Sequence, residues 1–220
     1  MPGTLYIVST PIGNLEDITF RAVDTLKKVN MIAAEDTRHT KILLSRYGIK
    51  TPTSSYFEYN KTQKSEYLLK FLKDGKSVAL VSDAGTPGIS DPGWGIIRMA
   101  IDNGIPVVPI PGPSGIITAL TVSGKPTNAF TFEGFLSPKG LRRKNELAKL
   151  KAEGRTVILY ESPHRITKLL YDILEIYGDV EVVLARELTK KFEEIRREKV
   201  SAALEHFTRS RPRGEFIVIL

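Results

Sequence analysis

Residues 77–93 read SVALVSDAGTPGISDPG. The first five are mostly aliphatic and read as a buried strand. The next twelve, Ser82 to Gly93, interleave glycine and proline too closely for either a helix or a strand to form. Residues 94–102 then return to an amphipathic pattern and predict a helix. The unit is therefore strand, loop, helix. A loop this long is unusual for a strand-to-helix connection, where two to six residues are common, and a long, stiff loop of this kind is a candidate binding element.

The same layout occurs on either side. Residues 4–9, TLYIVS, form a β-type run that breaks at Thr10-Pro11-Ile12-Gly13-Asn14. Residues 107–110 form another, followed by PGPSG at 111–115. Glycine lets backbone N–H and C=O groups come close to a ligand, and proline holds such a loop in one shape. In open α/β sheets, ligands sit beyond the carboxyl ends of the strands. Three converging loops would make a rigid pocket lined by backbone. No G-x-G-x-x-G and no G-x-x-x-x-G-K-[ST] occurs, so neither common nucleotide fingerprint is present. The plainer reading, three ordinary turns, suits either short loop alone but fits the dense 82–93 loop poorly.

Elsewhere the pattern predicts helices over 19–29, 41–47, 61–73 and 116–122, with a strand at 31–34. The second half repeats the style. Strands are expected at 130–135, 156–160, 181–185 and 215–220, helices at 140–152 and 166–176, and a strand end followed by a helix within 195–207. Strands alternating with helices indicate the α/β class. The stretches at 109–115 and 123–126 are the boundary candidates, giving domains of 1–112 and 113–220. The sequence ends on an apolar IVIL with no polar tail, so a native chain continuing past Leu220 is expected.

With no cysteine in 220 residues, disulfides, thiolate-bound zinc and a cysteine nucleophile are excluded. His39, His164 and His206 are widely separated, and no metal site is expected. No apolar run approaches the roughly 18–20 residues that span a membrane. The first nine residues lack the layout of a secretion signal, so a cytoplasmic protein is expected. The net charge is +7, with 32 Lys and Arg against 25 Asp and Glu. Up to Gly112 there are 13 basic and 11 acidic residues, and after it 19 and 14. A basic excess favours anionic partners, nucleic acid among them.

SDAGTPGISDPG resembles the signature of the tetrapyrrole methylase superfamily, and within it the branch of small-subunit ribosomal RNA cytidine 2′-O-methyltransferases. The similarity extends through STPIGNLEDITFRA (9–22), AEDTRHT (34–40), PIPGPSG (109–115), EGFLSPKG (133–140), YESPHR (160–165) and ARELTKKFEE (185–194), in order. It implies a two-domain tetrapyrrole methylase-like fold with S-adenosylmethionine in a cleft between the domains, and a homodimer acting on 16S rRNA in the 30S subunit. Cofactor-making relatives carry Gly-Asp-Pro where this chain has Gly85-Thr86-Pro87, which argues against a tetrapyrrole substrate. Many relatives also carry a further C-terminal segment. Carried over by position, the cofactor contacts are Pro11, Asp83, Ala84, Gly85, Gly88, Ser90, Pro111, Gly112 and Ser114, with Phe135, Glu161, Ala185 and Arg186 from the second domain. For Phe135 and Ala185 plain core packing is the rival.

A sulfonium methyl is already electrophilic, so alignment does most of the work. A ribose hydroxyl is a weak nucleophile and gains from a group that accepts its proton. Glu35, Asp36 and His164 are the catalytic candidates, with Asp83, Glu133 and Glu161 also in view. The rival for Asp36 is a helix cap, and for His164 a structural role. For RNA, Arg38 and the cluster Lys139, Arg142, Arg143 and Lys144 are the candidate phosphate contacts. Cations at a helix start oppose its dipole, which points to a reason other than helix stability. Arg196, Arg197, Lys199, Arg209, Arg211 and Arg213 add charge late in the chain, and the rival is a solvated face. Tyr56, Phe57 and Tyr59 are candidates for base stacking, with partial core burial as their rival. Two other functions stay open: a methylase of this fold with a small-molecule or protein substrate, and a non-catalytic RNA-binding protein.

Overall fold

A computed structural model describes residues 1–57 and 61–220. The chain divides into two compact units, Met1–Ser114 and Gly115–Leu220. No helix among the described residues is long and apolar enough to cross a membrane.

The first unit is a parallel five-stranded sheet. Its strands are β1 (Leu5–Val8), β2 (Met31–Ala34), β3 (Thr53–Ser55), β4 (Val78–Val81) and β5 (Val107–Ile110). They lie in the order β3-β2-β4-β1-β5. All four residues of β4 are buried, as expected for a strand covered on both faces. The alternation of side chains splits the core into two layers. Val8, Ile32, Ala34, Ala79 and Val81 meet Leu26 of α1 (Phe20–Lys28) and Leu43 and Leu44 of α2 (Thr37–Arg46). Leu5, Ile7, Ala33, Val78 and Leu80 meet Leu68 and Leu72 of α3 (Lys61–Lys73) and Ile96 and Ala100 of α4 (Trp94–Asp102).

Local chemistry sets the helix starts. The Thr19 hydroxyl accepts from the Ala22 N–H at 3.1 Å and caps α1. Asp36 accepts from the Arg38 N–H at 2.8 Å and caps α2. Helix α2 thus begins at Thr37, one turn ahead of the expected residue 41, because the cap overrides the weaker apolar signal of Thr37 to Thr40. Strand β3 was not anticipated. Its three polar residues carry no hydrophobic pattern, and pairing with β2 creates it.

The second unit is a mixed sheet beneath three helices. Its strands are β6 (Phe130–Phe135), β7 (Thr156–Glu161), β8 (Glu181–Arg186), β9 (Glu194–Lys199) and β10 (Phe216–Ile219), in the order β6-β7-β10-β8-β9. Only the β6–β7 pair is parallel. Helices α6 (Gly140–Glu153), α7 (Ile166–Tyr177) and α8 (Val200–Arg209) cover one face, with Leu147, Leu170 and Phe207 packed on Leu159, Leu184 and Phe216. The short α5 (Gly115–Thr121) lies against the other face, where a Cβ on Gly115 would come within 3.1 Å of Ile217 Cδ1. Strand β9, EIRREK, is fully charged apart from Ile195. Arg196 bridges Glu194 and Glu198 along it, a charged edge of the kind that discourages pairing with other chains.

Beneath the start of α6, Arg143 and Asp172 of α7 form a buried ion pair at 2.6 Å. Arg142 pairs with Glu146 at 3.0 Å, and Lys144 with Glu175 at 2.6 Å. The basic start of α6 therefore has a structural reason: Arg143 and Lys144 pair across to α7, and Arg142 pairs within α6. Arg143 is corrected from RNA contact to core, since its guanidinium is enclosed and bound. Removing one partner of a buried pair leaves an uncompensated charge. Arg143→Ala is expected to cost about 3–5 kcal/mol in urea unfolding, and the double change Arg143→Met with Asp172→Leu to recover most of it.

Candidate functional site

In the first unit, the chain leaves β1 and β2 for helices α1 and α2 on one face of the sheet. It leaves β4, which lies between those two strands, for α4 on the opposite face. Connections diverging from adjacent parallel strands open a crevice at the carboxyl end of the sheet, which is where open α/β sheets bind ligands. The loops at this crevice are pinned to one another. Thr10 and Gly85 exchange backbone hydrogen bonds, at 2.9 Å and 3.0 Å. The Thr10 hydroxyl donates to the Ser82 carbonyl at 3.0 Å. Ser9 Oγ and Thr86 Oγ1 lie 2.9 Å apart. The Ser9 N–H donates to the Ile110 carbonyl at 3.2 Å.

Two glycines are required by this geometry. Gly85 has φ of +76°, in the left-handed region, where a side chain would be strained. A Cβ on Gly112 would come within 3.1 Å of Ser9 Cβ. Pro11 is buried and braces the first loop, whereas Ala84, Ser90, Pro111 and Gly112 are exposed around it. Asp83, Gly88 and Ser114 are half-buried. Sequence reasoning did not single out Ser9 or Thr10, and took Thr86 only as a departure from a pattern. Their pairing has no sequence signal, because it depends on strands far apart in the chain.

Two carboxylates meet at the same place. The Asp36 N–H donates to Asp83 Oδ1 at 3.0 Å, and the Glu35 carboxyl lies close enough to Asp83 to feel both its charge and its backbone N–H. Burial pushes the Glu35 carboxyl above its ordinary range, the neighbouring Asp83 carboxylate adds to the shift, and the hydrogen bond from Asp83 opposes it. Glu35 thus holds a proton more readily than a free glutamate does. Asp36 behaves oppositely. Its carboxylate is bound by the Arg38 side chain, at 2.8 Å and 3.1 Å, and by the Arg38 N–H, which holds its carboxyl well below the usual range. Asp36 is corrected from proton acceptor to helix cap. Arg38 stays exposed, with its charge shared with Asp36.

In the second unit, the strand register gathers several candidates at one end of the sheet. Phe135 lies beside Tyr160, and Glu161, Phe216, Arg186 and Glu194 form the next row. Phe135 is 57% exposed and its ring lies 5.7 Å from that of Tyr160. Ala185 is buried in β8 between Ile217 and Ile195. Arg186 pairs with Glu194. The Glu161 side chain is 0% exposed, on the face that the helices cover. Its Oε1 accepts from the Ser162 N–H at 2.7 Å, and its Oε2 lies 3.2 Å from Arg165 Nη2. Burial raises its carboxyl, and Ser162 and Arg165 oppose the rise. The Glu161 carboxylate is therefore corrected from ligand contact to an internal anchor for Arg165, which in turn binds the Leu136 carbonyl at 2.6 Å.

His164 is exposed in the turn before α7, and Glu133 is exposed on β6. Tyr56 is buried, with its hydroxyl 3.1 Å from Ser65 Oγ, and so belongs to the core. Phe57 is partly exposed, and Tyr59 lies outside the described residues. A hollow of about 340 Å³ lined by Lys125, Asn128, Arg155 and Leu220 lies at the other end of the second sheet, away from these candidates.

The profile of the Tetrapyrrole (Corrin/Porphyrin) Methylases matches residues 4–204. The chain belongs to this family. Among curated tetrapyrrole methylases, it is 51% identical over 218 residues to the ribosomal RNA small subunit methyltransferase I of Thermotoga maritima, covering 99% of this chain and 98% of that one. The protein of the same name from Bacillus subtilis is 49% identical, with 99% of this chain and 75% of that one covered. Solved structures share the fold. A diphthine synthase aligns with a TM-score of 0.77 at 13% identity, covering 99% of this chain and 89% of that one. A uroporphyrin-III-C-methyltransferase from Thermus thermophilus aligns with a TM-score of 0.68 at 18% identity, covering 99% and 94%.

The raised Glu35 carboxyl has a consequence for stability. Between the ordinary 4.5 and the higher folded value, the folded chain holds a proton that the unfolded chain has released. Stability from this group is complete below 4.5 and is lost as pH rises through the folded value. Glu35→Gln keeps an oxygen for the Asp83 N–H and removes the charge. It is expected to be at least as stable as the parent at pH 7, with a flatter fall of unfolding midpoint between pH 4.5 and 7 in a urea series.

Proposed function

We propose that this chain transfers the methyl group of S-adenosylmethionine to the ribose 2′-hydroxyl of a cytidine in small-subunit ribosomal RNA. The observation that carries the reading is the partly buried Glu35 carboxylate beside Asp83 at a switch-point crevice, in a chain about half identical along its whole length to proteins named for methylating that RNA. Glu35 is half-buried beside Asp83, and a carboxylate there suits a hydroxyl substrate, which must lose a proton as the new C–O bond forms.

The residues present fit the methyl donor. At the crevice side-chain bulk is small: Gly85 and Gly88 have φ of +76° and +87°, and a Cβ on Gly112 would crowd Ser9 Cβ at 3.1 Å. Such a surface offers amide and carbonyl groups to an adenine and an amino-acid end without bulk in the way. Pro11, Ala84, Gly85, Gly88, Pro111 and Gly112 are the proposed contacts in the first unit. When bound, S-adenosylmethionine supplies an electrophilic methyl group.

The remaining work falls to the chain itself. The loops pinned at Thr10–Gly85 and Ser9–Thr86 hold their shape before a ligand arrives, so alignment costs little reorganisation. Glu35 takes the proton of the attacking 2′-hydroxyl. Asp83 lies beside it, its Oδ1 held by the Asp36 N–H. Lys139, exposed at the start of α6, remains a proposed phosphate contact, with Arg142, Lys144 and Arg38 weakened by their pairing with Glu146, Glu175 and Asp36. The same reading carries a homodimer that works in the cytoplasm on 16S rRNA or the 30S subunit.

The reading is tested with tritiated S-adenosylmethionine and 30S subunits from a strain lacking the gene, followed by ribose-methylation mapping. Label at one cytidine 2′-oxygen is the expected result, and label on a base or on no RNA would overturn it. Glu35→Gln is expected to lower kcat by about 10²–10⁴-fold while leaving S-adenosylmethionine affinity, read by calorimetry, unchanged.

A further inference from the structure

The β8–β9 connection, ELTKKFE at 187–193, is held in a costly conformation. Glu187 and Thr189 have φ of 50° and 65°. The left-handed region disfavours any residue with a Cβ, and a β-branched threonine most of all. Local bonds keep it there. The Thr189 N–H donates to Glu193 Oε2 at 2.6 Å, the Lys190 N–H to the Glu187 carbonyl at 3.0 Å, and Lys190 Nζ to Glu187 Oε1 at 3.1 Å.

A second loop, residues 210–215, packs beside it. The Glu187 side chain occupies the space over Gly214, where a Cβ would fall 2.5 Å from Oε1. Arg186 Nη1 donates to the Arg213 carbonyl at 3.2 Å. These two loops sit at the end of the second sheet that also carries Phe135 and Arg186.

This architecture presents an aromatic ring to solvent. Phe192 is 71% exposed, with Lys191 Nζ 5.7 Å from its ring centroid. Among the described residues Lys191, Arg211 and Arg213 have no acidic partner, whereas Lys190, Arg186 and Arg196 are neutralised by Glu187, Glu194 and Glu198. The nearby acids are Glu193, occupied by the Thr189 N–H, and exposed Glu215. An exposed ring with Lys191 over it thus shares this end of the sheet with two unpaired arginines on the adjoining 210–215 loop.

We infer that this surface grips a single-stranded stretch of the RNA substrate, with one base stacked on Phe192 and phosphates bound by Lys191, Arg211 and Arg213. A flat ring serves any base, because every base has a π-face. Flanking cations match a backbone that carries one negative charge per nucleotide. The surface rests on the ribosomal RNA reading and adds a grip outside the crevice.

The test uses the full chain with Phe192→Ala, Phe192→Trp and the double variant Arg211→Gln/Arg213→Gln. Substrates are 30S subunits from a strain lacking the gene and naked 16S rRNA. Phe192→Ala is expected to raise KM for RNA and weaken filter-retained binding about tenfold. Its kcat, S-adenosylmethionine affinity and light-scattering mass should stay as in the parent, and Phe192→Trp should bind normally. The double variant is expected to lower the slope of log affinity against log salt by about 2. Unchanged RNA binding by Phe192→Ala would overturn the surface. So would a loss confined to S-adenosylmethionine affinity or to self-association, which would assign the ring to the cofactor or to a second copy. A parent chain that binds 16S rRNA but methylates none would sink the ribosomal RNA reading, while its filter binding would still judge the surface.

Discussion

The reciprocal backbone bonds between Thr10 and Gly85 join the end of β1 to the loop that leaves β4. That loop crosses to the opposite face of the sheet from the chains that leave β1 and β2. Without a tie, twelve residues with no secondary structure of their own would sample many shapes, and any ligand would have to order them. The tie requires a left-handed residue at position 85, and glycine provides it. Ser9–Thr86 and the Ser9–Ile110 bond extend the same constraint to the third loop. The crevice is therefore a property of the first sheet's connectivity, and its rigidity comes from a few hydrogen bonds at the strand ends.

The acids of the first unit show how position separates groups of the same chemistry. Glu35 and Asp36 are adjacent in sequence. One follows the strand inward, is partly desolvated and faces Asp83; the other turns outward to cap α2 and bind Arg38. Their proton affinities move in opposite directions for those reasons. The second unit repeats the lesson with cations. Arg142, Arg143 and Lys144 are consecutive, yet Arg143 lies in the core on Asp172 while its neighbours sit at the surface.

Much of the fold was legible. The alternation of apolar runs and amphipathic stretches gave the α/β class and most elements within a residue or two, because burial on two faces writes a strong pattern. What went unread was short or polar. Strand β3 is three polar residues made into a strand by its neighbour, and β9, expected only as a strand end before a helix, is a full charged edge strand. The Gly- and Pro-dense loops were also legible, since few sequences combine those residues without a need for fixed backbone.

By itself, then, the sequence determined the class, the loops and the family, through local propensity, periodicity and a run of ordered motifs. The tertiary structure decided which face of the sheet each connection takes, hence that the crevice opens at β4. It also decided which of two adjacent acids is desolvated, and which basic residues are spent on internal pairs. These outcomes depend on distances between residues remote in the chain, 47 positions apart for Asp36 and Asp83 and 29 for Arg143 and Asp172. Electrostatics and desolvation act across those distances in space, and no local pattern encodes them.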